Sequence, residues 1–225
     1  MTSYTLAFDI YGTLIDTSGV LDSLKKMIGD RARLFINIWR NKQLEYSFRR
    51  GLMDAYVDFS LCTKEALEYT CLNLDIKLTQ DQKSSLLHEY KRLPAFPDVL
   101  EGIERLKHTK HKVYAFSNGS YQAIKELLHN ANIEYFFDGI VSVEDIKMFK
   151  PSPLVYQHFN TKTNSTKDTA WLISSNPFDV IGAISYGMKS AWVQRSSTSI
   201  FDPWGIDPTE TINSITELQH ILEKY

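Results

Sequence analysis

Four short apolar runs constrain this chain more than anything else in it: "YTLAFDI" at 4–10, "HKVYAFSN" at 111–118, "TAWLISS" at 169–175 and "KSAWVQ" at 189–194. Runs of this length, bounded by polar or turn residues, read as strands buried on both faces. A weaker fifth is "GIVSV" at 139–143. Between them lie stretches with helical periodicity. "DVLEGIERLKHT" carries Val99, Ile103 and Leu106 on one face, and "SYQAIKELLHNANI" carries Ile124, Leu127, Leu128 and Ile133. "PFDVIGAISYGM" reads as a third helix. Strands alternating with helices of this length define an α/β fold with a doubly wound parallel sheet and a Rossmann-like core.

Residues 17–92 break that rhythm. "DSLKKMIGDRARLFINIWRNKQLEYSFRRGLM" reads as a long helical stretch, with Leu34, Ile38, Leu44, Phe48 and Leu52 among its apolar positions. "TKEALEYTCLNLDI" and "TQDQKSSLLHEYKRL" read as further helices with Thr63 and Thr79 as N-caps. Pro94 and Pro97 punctuate the return to alternation. The expectation is a core domain of residues 1–16 and 93–225, with an all-helical cap domain, 17–92, inserted after the first strand. Such an insert lies over the carboxyl ends of the strands, where open α/β sheets place ligands, and is a natural lid.

Composition narrows the function classes. A formal net charge of −2 gives no basic field for nucleic acid or a membrane surface. Cys62 and Cys71 match no metal spacing and no disulfide framework. Met1 is followed by Thr-Ser-Tyr rather than a secretory n-region, and no apolar segment reaches the ~20 residues of a membrane span. The expectation is a cytoplasmic protein.

Chemistry gathers at the strand ends. The first run ends at Asp9, the second in Ser117–Ser120, and the fourth in Ser174–Asp179, while "KPSPLVY" places Lys150 after the weaker run. In a parallel sheet these ends converge on one edge. Singly, each Asp, Ser or Asn is an ordinary turn or cap residue, and Lys150 an ordinary surface lysine. Together they put two carboxylates, hydroxyls and an amine in one crevice.

The pattern "FDIYGTLID … FSNGS … FKPSPLVY … SSNPFDVIGAISYG" resembles the haloacid dehalogenase superfamily in order and spacing over nearly the whole chain. The insert "IWRNKQLEYSFRRGLMDAYVDFSLCTKEALEY" is similar to the cap of the L-2-haloacid dehalogenases. The resemblance implies hydrolysis of a short-chain L-2-haloacid to the D-2-hydroxyacid, with no cofactor and no metal. By the same resemblance Asp9 is the nucleophile, and Thr13 and Lys150 orient its carboxylate. Arg40 receives the halide. Ser117 and Asn118 line the carboxylate end of the substrate, and Tyr156 orders the network behind Lys150. Ser174 or Ser175, with Asn176 and Asp179, places and activates water. Tyr11, Leu44 and Phe59 form apolar pocket walls, and Asn41 and Phe178 complete the substrate pocket.

Asn41 and Phe178 stand where the family often has Gln and Trp, and Pro177 is unusual between Asn176 and Phe178, so chain-length preference is left open. Two competing functions remain at this point. A Mg²⁺-dependent phosphatase of the superfamily would want a carboxylate at position 11. There the chain has Tyr11, whose ordinary pKa of about 10 gives no carboxylate role at neutral pH. A binding protein with a decayed site would not keep polar groups at every strand end. The partners expected are the small haloacid and a second copy of the chain. Leu34, Phe35, Ile38, Phe48, Leu52, Met53 and Tyr56 look too apolar for one covered face, and a homodimer through this helix follows.

Overall fold

The computed structural model describes residues 2–225. The strands are β1 (Thr5–Phe8), β2 (Lys112–Ser117), β3 (Gly139–Ser142), β4 (Ala170–Ser174), β5 (Lys189–Val193) and β6 (Glu210–Ile212). They form one parallel sheet in the order β3-β2-β1-β4-β5-β6. All five expected strands are present. The sixth has three residues and one buried side chain, Ile212, too little for a readable apolar run. Strand order reverses at β1, which pairs with β2 on one side and β4 on the other. The crevice at such a reversal is where α/β sheets bind ligands. Phe8 is level with Ala115 and Ile173, so the next residue, Asp9, leaves the sheet between the ends of β2 and β4.

Between β1 and β2 the chain runs through α1 (Leu21–Ile28), α2 (Ala32–Leu52), α3 (Phe59–Asn73), α4 (Gln80–Tyr90) and α5 (Val99–Lys107). The rest of the core adds α6 (Tyr121–Asn130), α7 (Pro153–Thr163), α8 (Pro177–Tyr186) and α9 (Leu218–Leu222). The expected long helical stretch over 22–53 is two helices. Gly29 has φ +62° and ψ −137°, outside helical space, and a short 3₁₀ turn follows before α2 starts. Thr79 caps α4 through a capping box with Gln82. Thr63 caps nothing. Asp58 caps α3 five residues earlier than "TKEAL" suggests, and the Thr63 hydroxyl donates to the Phe59 carbonyl inside the helix. Helix α7, hidden behind two prolines, uses Pro153 in its first turn, where no N–H is needed.

The buried face of α2 is Ala32, Phe35, Trp39, Gln43 and Ser47, packed chiefly against α3. Phe35 is therefore core and not part of a second apolar face, which corrects the sequence reading. Phe48 packs edge-to-face on Phe178 at 5.0 Å, and Tyr56 stacks on Phe149 at 4.8 Å. Leu34, Leu52 and Met53 are left exposed on that helix, with Leu72 on α3. Among the described residues, no helix is long and apolar enough to cross a membrane.

Candidate active site

Asp9 sits at the carboxyl end of the central strand, where the chain turns, and the two oxygens of its carboxylate face different surroundings. Oδ2 accepts from Thr13 Oγ1 at 2.7 Å, Asn176 Nδ2 at 2.7 Å and Ser174 Oγ at 3.1 Å. Among the described residues, Oδ1 accepts only from Lys150 Nζ, at 3.2 Å. Burial pushes this carboxyl up, but the Lys150 charge, the Thr13 hydrogen bond and the Arg40 charge outweigh it. Asp9 is held below its ordinary value and is ionised.

Lys150 is 1% exposed, an unusual place for an ammonium. Its three protons go to Asp9 Oδ1, to Asp179 Oδ2 at 2.7 Å and to the Phe116 carbonyl at 2.9 Å. No donor is left for a ligand. The Asn118 amide oxygen accepts from the Lys150 backbone N–H at 2.9 Å, so Asn118 braces the lysine. Asp179 is fully buried in the first turn of α8 and also accepts from Tyr156 Oη at 2.8 Å. Two carboxylates thus share one ammonium. Burial raises the Asp179 carboxyl, Lys150 opposes the rise and Asp9 adds to it, leaving it at about 6. Burial also drives Tyr156 far above its ordinary value, so it stays a donor. Gly182 makes room for it. A Cβ there would fall 2.4 Å from Tyr156 Oη and 2.7 Å from Pro151 Cβ.

The two serines separate cleanly. Ser174 donates to Asp9, whereas Ser175 donates to the Gly12 carbonyl at 2.7 Å and, through its N–H, to Thr13 Oγ1. Ser175 braces the turn and Ser174 faces the carboxylate. Ser117 is 1% exposed, and its oxygen accepts from the Gly119 N–H at 3.1 Å, with no acceptor for its own proton among the described residues.

The helical side supplies Arg40. One terminal nitrogen donates to the Tyr11 carbonyl at 3.0 Å and the other to Gln43 Oε1 at 2.9 Å. Two of the five guanidinium donors are engaged, and no carboxylate pairs with it among the described residues. Phe59 stands 5.9 Å from the Tyr11 ring, ring centre to ring centre, and Phe178 is half-buried against Phe48. Leu44 is half-buried against the core. Asn41 points the other way. It is exposed on α2, one residue round the helix from Arg40, so the structure does not bring it into the pocket.

Sequence reasoning missed two supports. Gln43, an amide in a charged helix, was not singled out in the sequence and is 1% exposed. Arg195 follows the run at 189–194. Its Nε and one terminal nitrogen donate to the Thr13 carbonyl at 2.9 and 2.6 Å, while the other grips both oxygens of Asp98. Its place just past a strand end was the available signal.

One crevice at the sheet switch point thus holds an ionised carboxylate, a buried lysine that pairs with it, and an arginine with no carboxylate partner among the described residues. The family model described as haloacid dehalogenase-like hydrolase matches residues 6–193, and the chain belongs to that family. Within it, the chain is most like the L-2-haloacid dehalogenases. It is 33% identical over 217 residues to haloacetate dehalogenase H-2 of Moraxella sp. (strain B), covering 96% of each chain. It is 33% identical to (S)-2-haloacid dehalogenase 2 of Pseudomonas sp. (strain CBS-3), covering 96% of this chain and 94% of the other. Its backbone matches L-2-haloacid dehalogenase from Xanthobacter autotrophicus with chloropropionic acid covalently bound, at a TM-score of 0.90, 28% identity and 99% coverage of both chains.

Proposed function

We propose that this enzyme is a hydrolase of carbon–halogen bonds that converts a short-chain L-2-haloacid to the D-2-hydroxyacid through an ester on Asp9, without a metal. The inequality of the two Asp9 oxygens carries this reading. Oδ2, with three donors, is the poorer nucleophile; Oδ1 is the one that attacks C2 from the side opposite the halogen. The C–halogen bond breaks, the halide leaves with its electron pair toward the unpaired donors of Arg40, and C2 inverts. Lys150, with every proton taken, cannot compete for it. The substrate carboxylate rests at Ser117, whose proton is unclaimed. The C2 substituent rests against Tyr11, Leu44, Phe59 and Phe178.

Water then attacks the ester carbonyl carbon and gives a proton to Asp179, which is ionised at neutral pH. Oδ2 is now the carbonyl oxygen. As it becomes an oxyanion, Thr13, Ser174 and Asn176 already point at it, the preorganised arrangement that favours such intermediates. The tetrahedral centre collapses, the Asp179 proton goes to the departing alkoxide, and Asp9, left as the carboxylic acid, releases the second water proton to solvent and is regenerated as the carboxylate. C2 is not touched again, so net inversion results.

The donor set supports a metal-free reaction. The Lys150 ammonium stands between Asp9 and Asp179, and Tyr11 supplies no carboxylate. The helical segment 17–92 acts as a cap domain over a core of 1–16 and 93–225. Exposed Leu52 (90%), Met53 (71%) and Leu72 (81%) on α2 and α3 support a homodimer through that cap. Free, buried Cys62 and Cys71 fit a reducing cytoplasm.

The deciding experiment is halide release from each enantiomer of 2-chloropropionate, with and without EDTA, followed by chiral chromatography. The L-isomer should turn over to D-lactate regardless of chelation. Retention or a racemic product, or an EDTA loss restored by Mg²⁺, would overturn the reading. Sedimentation at micromolar concentration tests the dimer, and a monomer there would overturn it.

A further inference from the structure

We infer that Gln43 is the positioning residue that aims Arg40 at the departing halide, an inference that rests on the halide role proposed for Arg40. Proton accounting fixes how its amide lies. The single hydroxyl proton of Thr63 goes to the Phe59 carbonyl at 3.0 Å, so toward Gln43 the Thr63 oxygen can only accept. The group facing it at 2.5 Å must be the Gln43 NH₂. The Gln43 carbonyl oxygen therefore faces the other way, where it accepts from Arg40 at 2.9 Å and from Tyr90 Oη at 3.2 Å. Thr63 is itself tied to α2 by Trp39 Nε1, which donates to the Thr63 carbonyl at 2.8 Å. Gln43 is thus locked from α3 and α4, and it holds one end of the guanidinium while the Tyr11 carbonyl holds the other.

The acceptor is neutral, and that decides its value. A carboxylate at this position would hold Arg40 as firmly and cancel the charge the halide needs. A buried amide orients the guanidinium and leaves the charge in place. Without it, Arg40 keeps one tether and can swing about the Tyr11 carbonyl.

The test is single-turnover halide release from L-2-chloro- and L-2-bromopropionate by Gln43→Met and Gln43→Glu, with inhibition by added chloride and thermal midpoints. Chloride is the poorer leaving group and needs Arg40 more. In Gln43→Met the chloro rate should fall on the order of 100-fold, the scale of a misplaced catalytic group, and the bromo rate by clearly less. The bromo-to-chloro ratio then rises and chloride inhibits more weakly. Gln43→Glu should move both readouts the same way by neutralising Arg40, and it decides the matter if the Met variant does not fold. A shift in Met alone also supports the inference. It is overturned if both variants keep the wild-type ratio and chloride inhibition, however far rate or melting point drops, or if a folded Met variant keeps them while Glu shifts them. A wild-type enzyme that releases no halide would instead sink the proposed function, before any variant is compared.

Discussion

The two sides of the crevice hold charge in opposite ways. On the core side, Asp9, Lys150 and Asp179 are 6%, 1% and 0% exposed, and every lysine proton has a partner. On the helical side, Arg40 is half-buried and held only by a backbone carbonyl and an amide. The core charges satisfy one another and keep Asp9 ionised without presenting free charge. The arginine is anchored by neutral groups, so its charge stays available to an anion. Taking ions out of water costs several kcal/mol each, which explains why the core cluster is so fully hydrogen-bonded.

The largest test of this contrast is the nucleophile. Asp9→Asn should fold and lose at least about 10⁴-fold in turnover, the scale seen when a catalytic nucleophile is removed. With wild type in ¹⁸O water under single-turnover conditions, mass spectrometry should find label in Asp9. Label entering the product hydroxyl directly would mean that water attacks C2.

Next comes the shared ammonium. Lys150→Met leaves two buried carboxylates with no cation, and denaturant unfolding at pH 7 should show a loss of about 3–5 kcal/mol. An unchanged midpoint would mean that the core charges are not mutually dependent. Arg40→Met, which strands no buried partner charge, should cost far less stability by the same measurement.

The pH dependence is the third test. The folded pKa of Asp179, about 6, lies above its ordinary 3.8, so its contribution favours the fold below pH 4 and is lost as pH rises through 6. The shift amounts to on the order of 3 kcal/mol, and Asp179→Asn should remove that slope from unfolding free energies measured between pH 4 and 6. Asp9 is shifted down and acts oppositely, its contribution being lost only as pH falls below the ordinary carboxylate range. Because only ionised Asp179 takes the water proton, kcat should show an acid limb, and it should lie below pH 6 because esterified Asp9 no longer raises Asp179. A profile flat down to pH 4 would remove it as the base.

The smallest effect belongs to the helical side. Arg40→Lys keeps the charge but loses the planar fork that Tyr11 and Gln43 hold. Turnover should fall at least roughly tenfold, about 1.4 kcal/mol of transition-state stabilisation. Thermal melting should barely change, in contrast with Lys150→Met. A large stability loss here would erase the distinction between the two sides.

The core side was legible in the sequence because strand ends are marked locally. An apolar run that stops at Asp9, another at Ser117 and another at Ser174 needs only the parallel sheet to bring them together. The sheet itself follows from alternating runs, which depend on period and length alone. The helical side was half legible. Arg40 came from a motif, but Asn41, beside it in the chain, turns to solvent while Gln43 turns inward. In a helix whose apolar residues surround it, a period of 3.6 does not say which face packs on α3. Gly29, which splits the helix, looks no different in sequence from a glycine a helix tolerates. Thr63 could not be told from a cap, because both roles use the same hydroxyl and only the position of Asp58 decides between them. Arg195 and Asp98 are 97 positions apart and meet only because the segment after β5 reaches the N-terminus of α5. The sequence by itself determined the α/β class, the helical stretch after the first strand and the polar groups that meet at the strand ends. Only the tertiary structure decided which carboxylate oxygen is free, which serine faces it, and what holds the arginine, because those depend on where side chains from distant segments point once packed.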